Sequence, residues 1–360
     1  MKKVTRGLSI LVAMLLLIGC VGCGKTTAYQ KNSTKTNSSE SASAGESADT
    51  SETANASANA TVSTKKDTAG LKIAFSSIGA EDDAPWVGKL WNEVESVCED
   101  NNWEFIGLSA GGVPAKQKSQ IDELIDQNPD YFVLMAGDAA MADEWVKKIH
   151  YAGIPVIMIG TDSTISAYNE VSAYVGEDQE ALASQLVMDM INANGASANL
   201  NVVAISGFSA QQDYILRAQG AEKTLGYFSN YNLLETQYAG CSREEAKSIM
   251  DDYLKNYDNI DVVLCYDCEF AMGALDSLKE AGKEGEIQIY TITASEETLA
   301  AMKDGYIAEC AVNSAQDMAD SLAETITGLE NGTIPDHYKY TQREYVTVDN
   351  LSDYMDKAVY

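Results

Sequence analysis

Residues 131–160 read YFVLMAGDAAMADEWVKKIHYAGIPVIMIG, and this stretch decides the fold. Its two ends, 131–136 and 155–160, are short apolar runs of strand length, and 145–152 between them has the amphipathic pattern of a helix. Gly153 follows that helix at the position where a left-handed cap favours glycine. Strand, helix and strand in so short a span make one βα crossover, and repeated crossovers build a parallel sheet.

The same rhythm runs outward in both directions. Further strands are expected over 72–77, 104–110, 173–177, 201–207, 234–239, 262–266, 287–292 and 307–312, with helices including 121–127, 244–255 and 271–281. Gly282 and Gly305 end helices as Gly153 does. Ten strands overfill one typical open sheet, and 360 residues suggest about two domains at roughly 150 residues each. The expectation is an α/β chain of two doubly wound, Rossmann-like lobes, divided after Gly160 where 161–171 turns polar. Doubly wound sheets bind ligands at the carboxyl ends of their strands, so facing lobes put a ligand cleft between them, closed by a hinge.

Composition narrows the function. Asp and Glu number 54 against 25 Lys and Arg, a formal charge of −29, which would repel phosphate backbones; nucleic acid is excluded as a general partner. Apolar residues make up 45%, enough for true cores. Seven Cys do not make a disulfide scaffold, and the two His, His150 and His337, leave little for histidine chemistry.

The chain opens MKKVTRGLSILVAMLLLIGC. Lys2, Lys3 and Arg6 precede an apolar run, Leu8 to Ile18, that is too short for the roughly 20 residues of a membrane span. Its end, Leu17-Ile18-Gly19-Cys20, looks like a bacterial lipobox, so 1–19 is expected as a lipoprotein signal peptide and Cys20 as the acylated residue. Residues 24–70 hold no Leu, Ile, Phe, Met or Trp, so 20–70 is expected to be a disordered tether with a reach of roughly 40 Å. Gly19 to Thr26 fits a phosphate-loop pattern by chance, since a signal peptide rather than a buried strand precedes it.

Over about 71–345 the chain resembles the type I periplasmic binding proteins, in particular the ribose/galactose-type sugar-binding components of ABC transporters. The resemblance is carried by Gln120-Ile121-Asp122-Glu123-Leu124-Ile125, by Ala152-Gly153-Ile154-Pro155-Val156-Ile157 and by Tyr174-Val175-Gly176-Glu177-Asp178. It continues through Arg217-Ala218-Gln219-Gly220 (R-x-x-G), Ala271-Met272-Gly273-Ala274-Leu275 (A-x-G-A-L) and Met302-Lys303-Asp304-Gly305. It implies an N-terminal lobe of 71–172 with 314–340 and a C-terminal lobe of 173–313 with 341–360, joined by three crossovers. It also implies a lipid-anchored, extracytoplasmic solute-binding protein that captures a sugar by hinge closure and delivers it to an ABC permease and ATPase. No enzyme activity, cofactor or metal is implied.

The family's ligand positions are partly rewritten. Trp86 matches the first stacking aromatic, in a loop that also carries Asp83, and Ala84 stands where many sugar binders have Asn. The sugar-binding Arg position holds Ile215, whereas Arg217 matches a second Arg that often serves as scaffold. Asp267 replaces a neutral amide, Thr293 a ligand Asp, and Asn313 a Gln; the aromatic expected before Arg243 is Cys241. Asp138, Asp162 and Gln212 complete the expected ligand set. Carboxylates at strand ends are commonly helix caps, but two or more converging would favour an amine or other cation. A non-sugar ligand such as an amine or nucleoside therefore stays open, as does a role feeding a sensor kinase or chemoreceptor.

Two enzyme motifs carry less. Gly107 to Gly111 fits G-x-S-x-G around Ser109, but a triad needs a histidine and neither His150 nor His337 is well placed for one. Cys265 and Cys268 form a C-x-x-C without the second pair that structural zinc requires. A gene regulator of the lac-repressor type needs an N-terminal helix-turn-helix, and the signal and tether occupy that place.

Overall fold

The computed structural model describes residues 67–79, 85–163, 165–333 and 336–355. The expected signal peptide, Cys20 and the tether as far as residue 66 lie outside the described residues, as does Asp83.

Two six-stranded sheets repeat one plan. The first is built from β1 (Lys72–Ser77), β2 (Glu104–Ser109), β3 (Tyr131–Met135), β4 (Val156–Ile159), β5 (Val171–Gly176) and β11 (Tyr338–Tyr340), in the order β11-β5-β4-β3-β1-β2. The second uses β6 (Leu200–Ser206), β7 (Tyr231–Tyr238), β8 (Val262–Cys265), β9 (Gln288–Ile292), β10 (Glu309–Ala311) and β12 (Tyr345–Thr347), in the order β12-β10-β9-β8-β6-β7. Pairings are parallel except β10 with β12.

Helices cover both faces, which explains why the strands read as unbroken apolar runs. In β1, Ile73 and Phe75 enter one core while Ala74 enters the other; in β3, Tyr131, Val133 and Met135 face one side and Phe132 and Leu134 the opposite one. The first face is covered by α1 (Pro85–Asp100) and α9 (Ala315–Glu330), the second by α2 (Pro114–Asp126) and α3 (Ala139–Tyr151). The second sheet is wrapped by α4 (Gln179–Asn194), α5 (Gln212–Leu225), α6 (Arg243–Asn256), α7 (Cys268–Ala281) and α8 (Glu296–Lys303) around a single core cluster.

Two motif glycines mark close helix contacts. A Cβ on Gly220 would lie 2.1 Å from the Glu180 carbonyl oxygen of α4, and one on Gly273 would lie 2.4 Å from the Arg243 carbonyl oxygen of α6. The glycines of R-x-x-G and A-x-G-A-L are therefore demanded by helix packing, not by a ligand.

The structure moves one expected boundary. β5 runs beside β4 and buries Val171, Ala173, Tyr174 and Val175 in the first lobe's cores, so the chain changes lobe after Gly176 and not at 172/173, nor after Gly160. It returns for α9 after β10 and crosses again between β11 and β12. α3 also starts earlier than the expected 145, because the Asp138 carboxylate accepts a hydrogen bond from Met141 N at 2.9 Å and caps the helix there.

Candidate ligand cleft

Each sheet order reverses beside its first strand: β1 lies between β2 and β3, and β6 between β7 and β8. Such switch points leave a crevice beyond the carboxyl ends of the two central strands. In both lobes those ends border one cavity of about 210 Å³. Ile78 and Gly79 follow β1 and Met135 ends β3, while Phe208 follows β6 and Asp267 follows β8. That volume is well above the roughly 10–15 Å³ that one water needs on the same measure, so the cavity has room for a small solute.

Apolar faces come from Trp86 at the start of α1, Tyr214 on α5, Phe270 on α7 and Phe208. The Trp86 indole Nε1 donates to the Asn313 carbonyl oxygen at 2.7 Å, which ties the ring to the crossover after β10. Phe208 packs beside Gly240 and supplies a ring next to Cys241, where sequence reasoning found an aromatic missing.

The polar wall is centred on α5. Asp213 and Arg217 are four residues apart, about 40° round the helix, and Tyr214 lies about 60° beyond Arg217, so one helix face carries all three into the cavity. Arg217, 3% exposed, donates from Nη1 to the Tyr266 carbonyl oxygen at 2.6 Å and from Nε to Gln179 Oε1 at 2.8 Å. Burial raises the carboxyls of Asp213 and Asp267 above the usual range, and the positive charge of Arg217 opposes that rise in both. Asp267 also caps α7, accepting from Glu269 N at 3.1 Å. Asp213 Oδ1 and the side-chain Oδ1 of Asn313 are buried beside the cavity with no hydrogen-bond partner. Two unpartnered acceptors bordering one cavity fit hydroxyl donors.

The expected site residues separate into groups. Trp86, Asp267 and Asn313 line this cavity. Asp162 and Gln212 line a second one at the crossovers. Asp138 serves as the α3 cap. Ile215 lines neither cavity, because two residues of helix turn it about 200° from Asp213. Thr293, held at φ 72° after β9, is buried with its N–H donating to the Ala311 carbonyl oxygen and also lines neither. Sequence reasoning missed Asp213, Tyr214, Phe208 and Phe270 and treated Arg217 as scaffold. The Asp213/Arg217 spacing was the available signal.

The lobes also touch across the cleft mouth. The Ala139 N–H, at the start of α3, donates to the Ala210 carbonyl oxygen in the loop before α5, at 2.9 Å. Of the motifs outside the cleft, His150 lies in the last turn of α3 and His337 packs on Tyr168 with ring centres 3.8 Å apart. Cys265 is buried, and burial raises its thiol, the reverse of what a reactive cysteine needs.

Comparison with known proteins agrees with this architecture. A xylitol-binding protein of Mycolicibacterium smegmatis is 26% identical over 232 residues, covering 64% of this chain and 65% of that protein, a little under two thirds of its length. A putative rhizopine-binding protein of Rhizobium meliloti is 24% identical, covering 68% and 79%, and the ribose import binding protein of Salmonella typhimurium is 23% identical, covering 62% and 73%. Among solved structures, a galactofuranose binding protein superposes with a TM-score of 0.75 at 18% identity over 80% of this chain and 98% of that one. An ABC transporter solute binding protein from Bacillus halodurans with bound myo-inositol gives 0.73 at 22% identity, over 81% and 99%. The family model described as a periplasmic binding protein domain matches residues 73–333, which span both sheets and the cleft between them, and the chain belongs to that family.

Proposed function

We propose that this protein is the solute-binding component of an ABC importer and that its ligand is a sugar or sugar alcohol. One observation carries this reading: the interlobe cavity joins aromatic faces to unpartnered acceptor oxygens on Asp213 and Asn313, with Arg217 offsetting the buried carboxylates. Flat rings suit the C–H faces of a polyol, and acceptors suit its hydroxyls. The relatives named for xylitol and ribose, and the solved structure holding myo-inositol, support the same ligand class. The acidic cleft expected to favour a cation contains Asp267 together with Asp213 and Glu269, but Arg217 stands beside them, which favours a neutral ligand.

A ligand touching Trp86 on one lobe and Asp213 and Asp267 on the other stabilises the closed form, because only that form makes both sets of contacts. The closed protein then docks on a permease served by an ATPase. The lipobox-like sequence at Leu17 to Cys20 supports a location outside the cytoplasm with anchoring through Cys20, 20–70 being the lipidated Cys and its tether. A thermal-shift panel of pentoses, hexoses, polyols, amines and nucleosides tests the ligand class. A polyol hit whose affinity falls at least tenfold in Trp86→Ala supports the proposal; a panel in which only amines raise the melting temperature refutes it. Palmitate labelling lost in Cys20→Ala tests the anchor.

A further inference from the structure

A second cavity, of about 350 Å³, lies where the chain passes between the lobes. Its walls come from Asp162 and Tyr168 of the first lobe, Glu177 of the first crossover, Gln212 of α5, and Tyr338 and Tyr340 of β11. The aromatic rings are grouped: Tyr338 and Tyr340 stack at 5.3 Å between centres, with Tyr168 6.1 Å and Tyr174 5.9 Å from Tyr338.

The cavity is more acidic than the ligand cleft, with which it shares Asp213: Asp178, Glu180 and Asp213 join Asp162 and Glu177 in its lining. None of the described lining residues is Lys, Arg or His. Two guanidinium groups act on Glu177 from beside the cavity and oppose the effect of its burial: Arg217, bonded to Gln179 and the Tyr266 carbonyl, and Arg343, 3.7 Å from the lining Asp178. Glu177 is 2% exposed, and its carboxylate oxygens have only the Thr341 hydroxyl near them, with no bond of full hydrogen-bond geometry. A buried acid without a partner either stays protonated or waits for a cation. Burial accordingly pushes Glu177 up to about 7 and Asp162 up to about 6.

We propose that this crossover cavity binds a small organic ammonium ion, held by the Glu177 and Asp162 carboxylates against the tyrosine faces. Rings attract the cation through their quadrupoles and the carboxylates through charge, and both attractions strengthen where water is excluded. Because both lobes and the first crossover contribute walls, occupancy favours one lobe angle and couples to ligand capture in the cleft.

The test titrates choline chloride into the protein against sodium chloride at equal ionic strength, followed by melting temperature and calorimetry. Choline is expected to raise the melting temperature saturably where sodium does not. Glu177→Gln, which keeps the side-chain shape, and Asp162→Asn are each expected to weaken choline about tenfold. If Glu177→Gln does not fold, Asp162→Asn and Tyr340→Leu decide the matter. Trp86→Ala is expected to leave choline binding intact, which separates this site from the polyol cleft. Equal effects of the two salts, unchanged affinity in the acid variants that fold, or loss of choline binding in Trp86→Ala would each overturn the proposal.

Discussion

Replacing Ala139 by proline isolates the bond that latches the lobes. Ala139 is the first residue of α3, where a helix has no use for its own N–H and where proline is well tolerated. Asp138 before it sits at φ −149°, ψ 120°, the extended region that a following proline prefers. The substitution therefore leaves α3 intact and removes one donor, the N–H that meets the Ala210 carbonyl oxygen at 2.9 Å across the cleft mouth. A backbone hydrogen bond contributes about 1 kcal/mol net, or roughly fivefold in affinity when only the closed form makes it. The proline ring carbon also points at the Ala210 oxygen, so fivefold is the lower bound. Calorimetry with the best ligand of the parent protein, alongside solution scattering, measures both affinity and closure. Ala139→Ser keeps the N–H and serves as control. A folded Ala139→Pro variant binding within twofold of the parent would refute the reasoning, because the latch would then contribute nothing to the closed state.

Three further outcomes follow from the charges and thiols. Arg217→Gln strips the opposing charge from Asp213 and Asp267 and should lower stability by about 3 kcal/mol in urea at pH 7, with part of the loss recovered as the acids protonate at lower pH; a loss below about 1 kcal/mol contradicts the role assigned to Arg217. Glu309 in β10 is pushed from 4.5 up to about 8, chiefly by burial and then by Asp189, so the folded state holds a proton that the unfolded chain releases. Stability should therefore fall as pH rises between about 4.5 and about 8, by at most roughly 5 kcal/mol from this group, and Glu309→Gln should flatten that slope; an unchanged slope in the variant counts against the assignment. Cys241 is the exposed one among the described cysteines, yet local burial, with Asp267 and Asp213 nearby, pushes its thiol up to about 12. Iodoacetamide should label it slowly at neutral pH, faster in alkali, and more slowly still with cleft ligand bound; identical rates with and without ligand would place Cys241 away from the bound solute.

The lobe plan was legible because a strand buried on both faces leaves an apolar run with few competing readings, as in 131–136. The short return strands β11 and β12 were not, since each is three residues long and gains its partners only from chain far away, β5 and β10. In the cleft, Trp86, Asp267 and Asn313 were readable from positions in a pattern. Asp213 and Tyr214 were not, because that pattern directs attention to Ile215, and the choice among neighbours on α5 depends on how the helix is rotated against α4. That rotation is set where Gly220 lets the two backbones meet, a fact of packing rather than of local sequence.

The interleaved route of the chain has a consequence for biosynthesis. β1 to β5 are all made by residue 176, yet the face holding Ile73, Phe75 and Val133 is covered only by α1 until α9 brings Ala315, Met318, Leu322 and Ile326, and the sheet edge stays open until residue 340. A nascent chain emerging from the ribosome therefore cannot lock its first lobe before nearly all of it has been synthesised. If the proposed signal peptide routes the chain through an export channel, late completion keeps it threadable until that passage is over.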